Sequence, residues 1–437
     1  MNPSPLWIKN GRVIDPESGR DAPGDVFVLD GVLADCLPPR AKREAVVIDA
    51  ADLVVAPGFV DLHARLGEPG NTACETIASG SRAAAAGGFT SLVAMPNNAI
   101  PADNVGVVQL VKEIAAKTSL VRVFPAGAVT IGHKGEKLAP IGSLKKAGVV
   151  AVTDGSDGLQ NNEMKRRTLE YASMFDLVVF DHCQDTSMTH GAVMHEGVWS
   201  VRLGLRGFPS AAEEIVVAND LLLARLTGAR LHLQHISAAG SVAFIRHAKA
   251  HGVPITAEVA ADHLLLTDEA LRDYDTNFKL AAPLREETDR RALAEGLRDG
   301  TIDAIVSDHS PVTPTEKDRE FDLAPFGAIA LETAFPVALE ALYHNRDAAT
   351  GGAFPLSLVV DKFTRSPARV LGLDAGSLAI GKPADITLFS PDECWTPTAD
   401  GFQSRSSNSA HIGRPLRGRT HMTIVGGKIV FSAKPRV

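Results

Sequence analysis

A chain of 437 residues is too long for one small core and predicts a large domain with an accessory unit, or two to three domains. Its 45% hydrophobic and 22% charged residues are typical of a globular protein and exclude a disordered or fibrous one. The net charge of -8 gives no electrostatic basis for binding nucleic acid or an anionic membrane.

The beginning of the sequence shows no basic segment followed by a long apolar run, and nowhere do about 18 apolar residues follow one another. We therefore expect a cytoplasmic protein without membrane contact. Cys36, Cys74, Cys183 and Cys394 are scattered without a C-x-x-C pair, which supports neither a disulfide framework nor a zinc ribbon.

The two ends of the chain share one pattern. Residues 1–55 and 374–437 hold short alternating strands separated by Gly and Asp turns. We expect both ends to meet in one small β-sandwich, because chain termini often lie close together.

The middle of the chain, residues 56–373, alternates β-branched runs with longer segments of helical period that end at Gly. Its strand candidates are VVAPGFVDLH, FTSLVAMP, VRVFPAGAV, GVVAVTD, DLVVFDH, ARLHLQHIS, PITAEVAADH and TIDAIVSDHS. Eight strand–helix units over about 310 residues predict an α/β fold, namely a (β/α)8 TIM-type barrel.

Polar residues close most of these strands. Strand one ends in Asp61 and His63, and later strands end in Asp154, Asp181 and His182, His235, Asp262 and His263, and Asp308 and His309. Any single histidine at a strand end is more often structural than functional. As a set, however, these side chains converge on one barrel mouth, where barrel enzymes carry their chemistry.

His63, His182 and His235 with Asp154 and Asp308 form a nitrogen and oxygen ligand set suited to a divalent metal, above all zinc. Such a site predicts metal-assisted hydrolysis, in which a carboxylate takes a proton from water and hands it to the leaving nitrogen. Asp308 is the candidate for that role. Neither a Gly-rich phosphate loop nor a G-x-S-x-G motif is present.

These motifs resemble those of a known family. PGFVDLH, GGFTSLVAMPNN, HCQD, NFKLAAPLR, DGTIDAIVSDHSP and APFGAIALETAFP are similar to segments of the amidohydrolase superfamily, and within it of dihydroorotases of the bacterial multifunctional-complex type. The resemblance extends over nearly the whole chain. Hydantoinases and allantoinases look similar in outline, but ordinarily carry a lysine where this chain has Asp154.

The resemblance implies reversible interconversion of L-dihydroorotate and N-carbamoyl-L-aspartate in pyrimidine synthesis. It places His63, Asp154, His182, His235 and Asp308 on metal or catalytic positions. It places Asn97 and Asn277 on substrate-contact positions.

Several family positions are altered. The family's first motif reads roughly H-x-H-x-R-E-P-G, so Arg65 replaces a metal histidine and Gly67 a substrate-binding arginine. Val312 replaces a histidine near strand eight, Asp262 another histidine, and Ala281 an asparagine. These changes predict severely reduced activity, because a lost charged contact typically costs on the order of 10²-fold or more in rate.

Three alternatives stay open at this point. The first is a catalytically impaired pseudoenzyme, oligomeric and acting as a non-catalytic partner of aspartate carbamoyltransferase, as the resemblance implies. The second is an active cyclic amidohydrolase with one zinc ion, held by His182, His235 and Asp154. An inherited scaffold with an unrelated role is the third alternative.

Overall fold

The computed structural model of the chain describes residues 3–155, 158–345 and 352–433. Its strands are β1 (Leu6–Asp15), β2 (Arg20–Leu29), β3 (Val32–Ala34), β4 (Val46–Asp49), β5 (Val54–Pro57), β6 (Phe59–Ala64), β7 (Phe89–Ala94), β8 (Arg122–Pro125), β9 (Ala151–Val152), β10 (Val178–His182), β11 (Met194–His195), β12 (Gly207–Phe208), β13 (Leu231–Gln234), β14 (Ile255–Ala260), β15 (Ala304–Val306), β16 (Ile386–Trp395), β17 (Leu416–Val425) and β18 (Lys428–Ser432).

The α-helices are α1 (Pro39–Glu44), α2 (Ile77–Gly87), α3 (Val105–Thr118), α4 (Ile141–Ala147), α5 (Asn162–Ser173), α6 (Thr186–Thr189), α7 (Val198–Leu203), α8 (Ala211–Thr227), α9 (Ala239–Ala250), α10 (Asp262–Leu265), α11 (Glu287–Asp299), α12 (Pro314–Lys317), α13 (Ala334–Ala338), α14 (Leu356–Phe363) and α15 (Arg365–Leu371). Glycines in left-handed conformation end several of them, as predicted: Gly88 follows α2 with φ of 93°.

Strands from both ends of the chain share one mixed sheet. Its order is β18-β17-β16-β5-β1-β2-β3, and β4 pairs with β1. The central pair joins the two termini, since β5 runs antiparallel to β16 with Val55 opposite Leu388. Ile8, Val28 and Ile424 are buried in a hydrophobic cluster of this sheet. The two termini therefore contribute to one sheet, whereas the division into a β-sandwich domain of residues 1–55 and 374–437 and a barrel stays a prediction.

The stretch 54–63, predicted as one strand, forms two. β5 ends at Pro57 in the terminal sheet, and β6 begins at Phe59 in the barrel. Gly58 lies between them, and its N–H donates to the Asp385 carbonyl over 2.9 Å. A Cβ at Gly58 would lie 2.1 Å from the Thr90 hydroxyl oxygen, so the chain changes sheets where no side chain fits.

The eight barrel strands are parallel. β6, β7 and β8 pair in one run, and β9, β10, β13, β14 and β15 in another. Isolated bridges from Gly127 to Val152 and from Ala64 to His309 join the two runs, so the barrel closes. The predicted (β/α)8 barrel is thus confirmed, and its strand ends gather the polar residues at one mouth.

Candidate active site at the barrel mouth

His63 reaches the mouth because β6 is irregular at its end. Val60 and Leu62 lie in a buried cluster inside the barrel, whereas Phe59 packs in the larger cluster that includes helix residues. Strict alternation would send His63 to the same side as Phe59. The pairing of β6 with β7 shifts register between Asp61 and Ala64, and such a bulge re-aims the side chain.

Three predicted ligands come together at the mouth. Ligand atoms of His63, His235 and Asp308 lie within 4.8 Å of one another. The His63 Nε2 atom is 3.6 Å from the Asp308 Oδ1 atom, and the rings of His63 and His235 have centroids 5.1 Å apart. Two imidazoles and a carboxylate around a small buried space suit a divalent transition metal.

Two residues that the sequence reasoning missed hold His63 in place. The Gln234 side-chain nitrogen lies 3.0 Å from His63 Nδ1, and a Glu258 oxygen lies 3.6 Å from the same atom. Outer partners of this kind orient metal ligands and leave Nε2 toward the metal position. Gln234 is the last residue of β13 and Glu258 lies within β14, so a polar side chain inside a largely apolar strand was the available signal.

Charge around His63 opposes the effect of its burial. Burial alone would lower the His63 pKa, but the hydrogen bond to Glu258 and the negative charges of Asp308 and Glu258 leave it raised. Burial likewise would raise the pKa of Glu258, yet hydrogen bonds from His232 and His63 bring that pKa down to about 2. Glu258 is therefore a fixed buried anion beneath the site.

His182 and His235 form a second pair of imidazoles. The His182 Nδ1 and His235 Nε2 atoms are 3.2 Å apart, and His182 Nε2 lies 2.9 Å from the Gln184 side-chain oxygen. Burial lowers the pKa of both histidines, and for His235 the neighbouring imidazoles lower the pKa further. Both rings are accordingly neutral near pH 7, the form that binds metals.

Asp154 does not belong to the group of three described ligands whose atoms lie within 4.8 Å of one another. Its carboxylate accepts hydrogen bonds from the backbone N–H groups of Val129 (2.8 Å) and Thr130 (2.9 Å) and from the Thr130 hydroxyl. Burial raises the pKa of this carboxyl group despite those donors. The role of Asp154 as a ligand stays a prediction; in the structure its carboxylate connects the segment after β8 with the strand end of β9.

Two members of the group have unusual backbone. His235 has φ of 30° and Asp308 has φ of 52°, in the left-handed region that residues other than glycine rarely adopt. Ser307 supports the second of these, because its N–H donates to Asp61 over 2.9 Å and its hydroxyl oxygen accepts the His309 N–H. Strained residues at a strand end are typical of functional sites.

A cavity of about 380 Å³ opens at this mouth. Arg65, Gln184, Asp308 and Ser310 supply its polar wall, and Phe208 and Phe326 its aromatic wall. The two phenyl rings meet edge to face with centroids 5.9 Å apart. Arg65, at the position where a histidine was expected, and Asp308 therefore line the same cavity.

Gly67 is fixed by its surroundings. It has φ of 68°, and a Cβ there would lie 2.1 Å from the carbonyl oxygen of Glu75. The Gly67 carbonyl also accepts the Asn71 N–H over 2.7 Å, which folds the segment after β6 back on itself. No side chain fits at this position without a backbone shift.

The remaining predicted positions lie in different places, and one of them is at the mouth. Ala281 lines the mouth cavity, and Asn97 packs against Gly155, whose added Cβ would lie 2.6 Å from the Asn97 amide nitrogen. Asp262 accepts a hydrogen bond from His411 Nε2 over 2.8 Å, deep in the protein.

Asn277 and Val312 have structural contacts. The Asn277 N–H donates to Asp275 in a short 3-10 helix, and the Val312 N–H donates to Asn408. Among the described residues neither of the two lines the mouth cavity.

A second set of ligand-type side chains already binds the ammonium group of a lysine. Asp181, Cys183 and Asp220 converge behind β10, but the Lys165 ammonium donates to Asp181 and, over 2.7 Å, to Asp220. The charges of Asp181 and Asp220 raise the pKa of Lys165 even though burial opposes this. Lys165 thus takes the cation position, and the cluster is a buried ion-pair network.

Of the helices described, none has both the length and the apolar character needed to cross a membrane.

The sequence profile described as Dihydro-orotase-like matches residues 52–241, and that of the Amidohydrolase family matches residues 245–431. The chain is 48% identical to the dihydroorotase of Pelotomaculum thermopropionicum over 98% of both chains. It is 45% identical to that of Solibacter usitatus, again over 98% of both.

Solved structures with low sequence identity share the fold. The L-hydantoinase (dihydropyrimidinase) of Arthrobacter aurescens superimposes with a TM-score of 0.85 at 23% identity, over 99% of this chain and 96% of the other. The dihydropyrimidinase of Brevibacillus agri gives 0.81 at 21%, over 98% and 95%. With relatives this similar over nearly the full length, the chain belongs to the dihydroorotase family of cyclic amidohydrolases.

Proposed function

We propose that this chain is a dihydroorotase-family protein of pyrimidine biosynthesis that has kept one metal position, has lost most of its catalysis, and serves in the cytoplasm as a partner of aspartate carbamoyltransferase. The observation that carries the proposal is Arg65. Arg65 lines the mouth cavity, as Asp308 does, and stands where the family's motif has a second metal histidine. A permanent cation there opposes a second divalent ion.

Further support comes from what the altered side chains no longer offer. Gly67 has no side chain to contact a substrate and no room to gain one. Val312 and Ala281 are apolar at places where the resemblance implies polar contacts. Each missing charged or hydrogen-bonding contact costs on the order of 1–3 kcal/mol of transition-state binding, so the losses multiply.

The residues that would hold a metal are His63, His235 and Asp308, with His182 beside His235. Their nitrogen and oxygen donors, the lowered pKa values of His182 and His235, and the outer partners of His63 fit one zinc ion. When bound, zinc polarises a carbonyl and lowers the pKa of water. The Asp308 carboxylate would accept the proton from that water and return it to the ring nitrogen, and Glu258 would keep His63 oriented.

The intact three-ligand group favours a second candidate, an active cyclic amidohydrolase with one metal ion that hydrolyses L-dihydroorotate or a related cyclic ureide. This active alternative uses the same metal-binding residues as the impaired protein, and the two differ only in the rate of hydrolysis. Enzymes of ordinary efficiency have kcat values of about 1–10³ s⁻¹.

The deciding experiment measures zinc per chain and dihydroorotate hydrolysis on the same purified sample, with Arg225→Gln as a surface-charge control on α8. We expect at most one zinc per chain and turnover at least about 10²-fold below ordinary enzymes. One zinc with turnover of 1 s⁻¹ or more would establish the active alternative instead.

The partner claim has its own test. The chain and an aspartate carbamoyltransferase from the same organism are mixed and separated by size-exclusion chromatography with light scattering. Co-elution at fixed stoichiometry is the expected result. Separate elution at micromolar concentration of both proteins would remove the partnership from the proposal.

A further inference from the structure

A further group of ligand-type side chains lies apart from the residues of the proposed metal position. Ligand atoms of His195, Asp268 and Glu286 lie within 4.8 Å of one another. His195 is the last residue of β11, Asp268 begins a short 3-10 helix (Asp268–Leu271), and Glu286 directly precedes α11. The fold therefore brings one imidazole and two carboxylates together from three separate segments of the chain.

The carboxylate of Asp268 is buried with one oxygen unpartnered. Asp268 is 4% exposed, and its Oδ2 atom has no hydrogen-bond partner among the described residues. Burial and the negative charge of Glu286 raise the Asp268 pKa to about 6. Because buried carboxylate oxygens are almost always satisfied in proteins, this atom marks a position where a ligand is expected.

Gly197 leaves space beside the other two ligand atoms. A Cβ added at Gly197 would lie 2.9 Å from Glu286 Oε1 and 3.3 Å from His195 Nε2. Burial and the charge of Arg285 lower the His195 pKa to about 4, so the ring is neutral at pH 7. A neutral imidazole is the form that binds metals.

The charges around this group favour a cation. Asp268 has Glu286 and Asp289 as negatively charged neighbours. The Arg285 guanidinium lies 3.2 Å from His195 Nδ1, the ring nitrogen opposite the one beside Gly197, and pairs with Glu213 over 3.2 Å. These four carboxylates exceed the charge of one guanidinium, so a divalent cation would reduce the repulsion between them.

We propose that His195, Asp268 and Glu286 bind an exchangeable divalent transition-metal ion of the Mn²⁺ type. One imidazole with two carboxylates is a donor set that such an ion accepts, and Mn²⁺ lies at the weak end of the affinity order of divalent first-row metals. The ion is therefore lost on dialysis. This site is independent of the proposed function, since none of its three ligands belongs to the proposed metal position at the mouth.

The test is a titration of dialysed full-length protein with Mn²⁺, in which the EPR signal of the free ion measures how much is bound. Glu286→Gln and Asp268→Asn each remove one carboxylate with little change of shape. Glu295→Gln, an exposed glutamate on α11, is the matched control. Each change is made in the wild type and in His235→Ala, which disables the mouth position.

In the His235→Ala background, we expect one Mn²⁺ per chain with and without Glu295→Gln. Glu286→Gln and Asp268→Asn should each weaken binding on the order of 10-fold or more, since even an outer partner of a metal site typically contributes that much. Equal Mn²⁺ affinity with and without Glu286→Gln would overturn the inference. Absence of bound Mn²⁺ at millimolar concentration in the His235→Ala background would overturn it too.

Pulsed EPR supplies a readout that a merely structural role of the three side chains would not change. The bound Mn²⁺ should show coupling to an imidazole nitrogen, and His195→Gln should remove that coupling. Coupling that persists in His195→Gln with His235→Ala would contradict the assignment. Circular dichroism verifies folding; if Asp268→Asn unfolds, Glu286→Gln decides, because Glu286 is only partly buried.

Discussion

The two sides of the barrel mouth differ in how far their residues match the predicted site. At the ends of β10 and β13, His182 and His235 lie 3.2 Å apart as neutral, buried imidazoles with ordered partners. At the end of β6, Arg65 and Gly67 occupy the positions where the resemblance predicts a histidine and an arginine. The imidazoles of the proposed metal position are thus present, whereas two positions that were expected to bind metal or substrate are altered, on one closed barrel.

The largest expected effect concerns the imidazoles of the mouth, at His235. His235→Ala removes one of three convergent ligands, and we expect zinc affinity to fall on the order of 10²-fold or more, since losing even an outer partner typically costs about 10- to 100-fold. Metal analysis of dialysed protein measures this. The control is His247→Ala, an exposed histidine on α9, which should keep wild-type zinc. Unchanged zinc in His235→Ala would place the metal elsewhere.

At the end of β6, we expect position 67 not to tolerate a side chain. Gly67→Ala places a Cβ 2.1 Å from the Glu75 carbonyl oxygen at a φ of 68°, and we expect a loss of about 2–4 kcal/mol in unfolding free energy. Gly228→Ala has a similar φ of 66° with open space around it and should lose only about 1 kcal/mol. Urea unfolding compares them. Equal losses would mean that the steric contact at Gly67 is relieved easily.

The loop that carries Pro325 and Phe326 is anchored by buried Lys317, which donates to the carbonyls of Thr276 and Pro325. Burial and the charge of Lys279 lower the Lys317 pKa to about 7. The unfolded chain then holds more protons than the folded one between pH 7 and about 10, so unfolding free energy should rise with pH there, by about 1–2 kcal/mol.

Urea unfolding of the wild type and Lys317→Met between pH 7 and 9.5 checks this assignment. The variant should lose most of the rise, because the residue that titrates is gone. An identical pH dependence in both proteins would show that Lys317 does not titrate in this range.

The smallest effect is expected at Asp154. Because its carboxylate accepts three donors from Val129 and Thr130, Asp154→Asn should change zinc affinity by no more than about 10-fold while it loosens the segment after β8. Metal titration and proteolysis of the folded protein report the two effects. A loss of zinc as large as in His235→Ala would make Asp154 a ligand.

Much of the fold followed from sequence because strand ends and helix ends are locally encoded. The eight β-branched runs, the Gly-closed helices and the shared pattern of both termini each reflect short-range propensity. The division at Gly58 did not follow, since it depends on Thr90 and Asp385, which are distant in sequence.

The sequence predicted the individual residues of the site better than the contacts between them. His63, His235 and Asp308 were identifiable as strand-end ligands. The orientation of Asp154 toward Thr130, the support from Gln234 and Glu258, and the steric exclusion at Gly67 depend on contacts between separate segments. No periodicity in the sequence encodes such contacts.

The most direct test of the central claim is the rate of L-dihydroorotate hydrolysis by the zinc-loaded protein, alone and with equimolar aspartate carbamoyltransferase. A partner that only assembles with this chain leaves the rate at least about 10²-fold below 1 s⁻¹ in both samples. A rate of 1 s⁻¹ or more in either sample would contradict the claim that Arg65 and Gly67 have disabled catalysis.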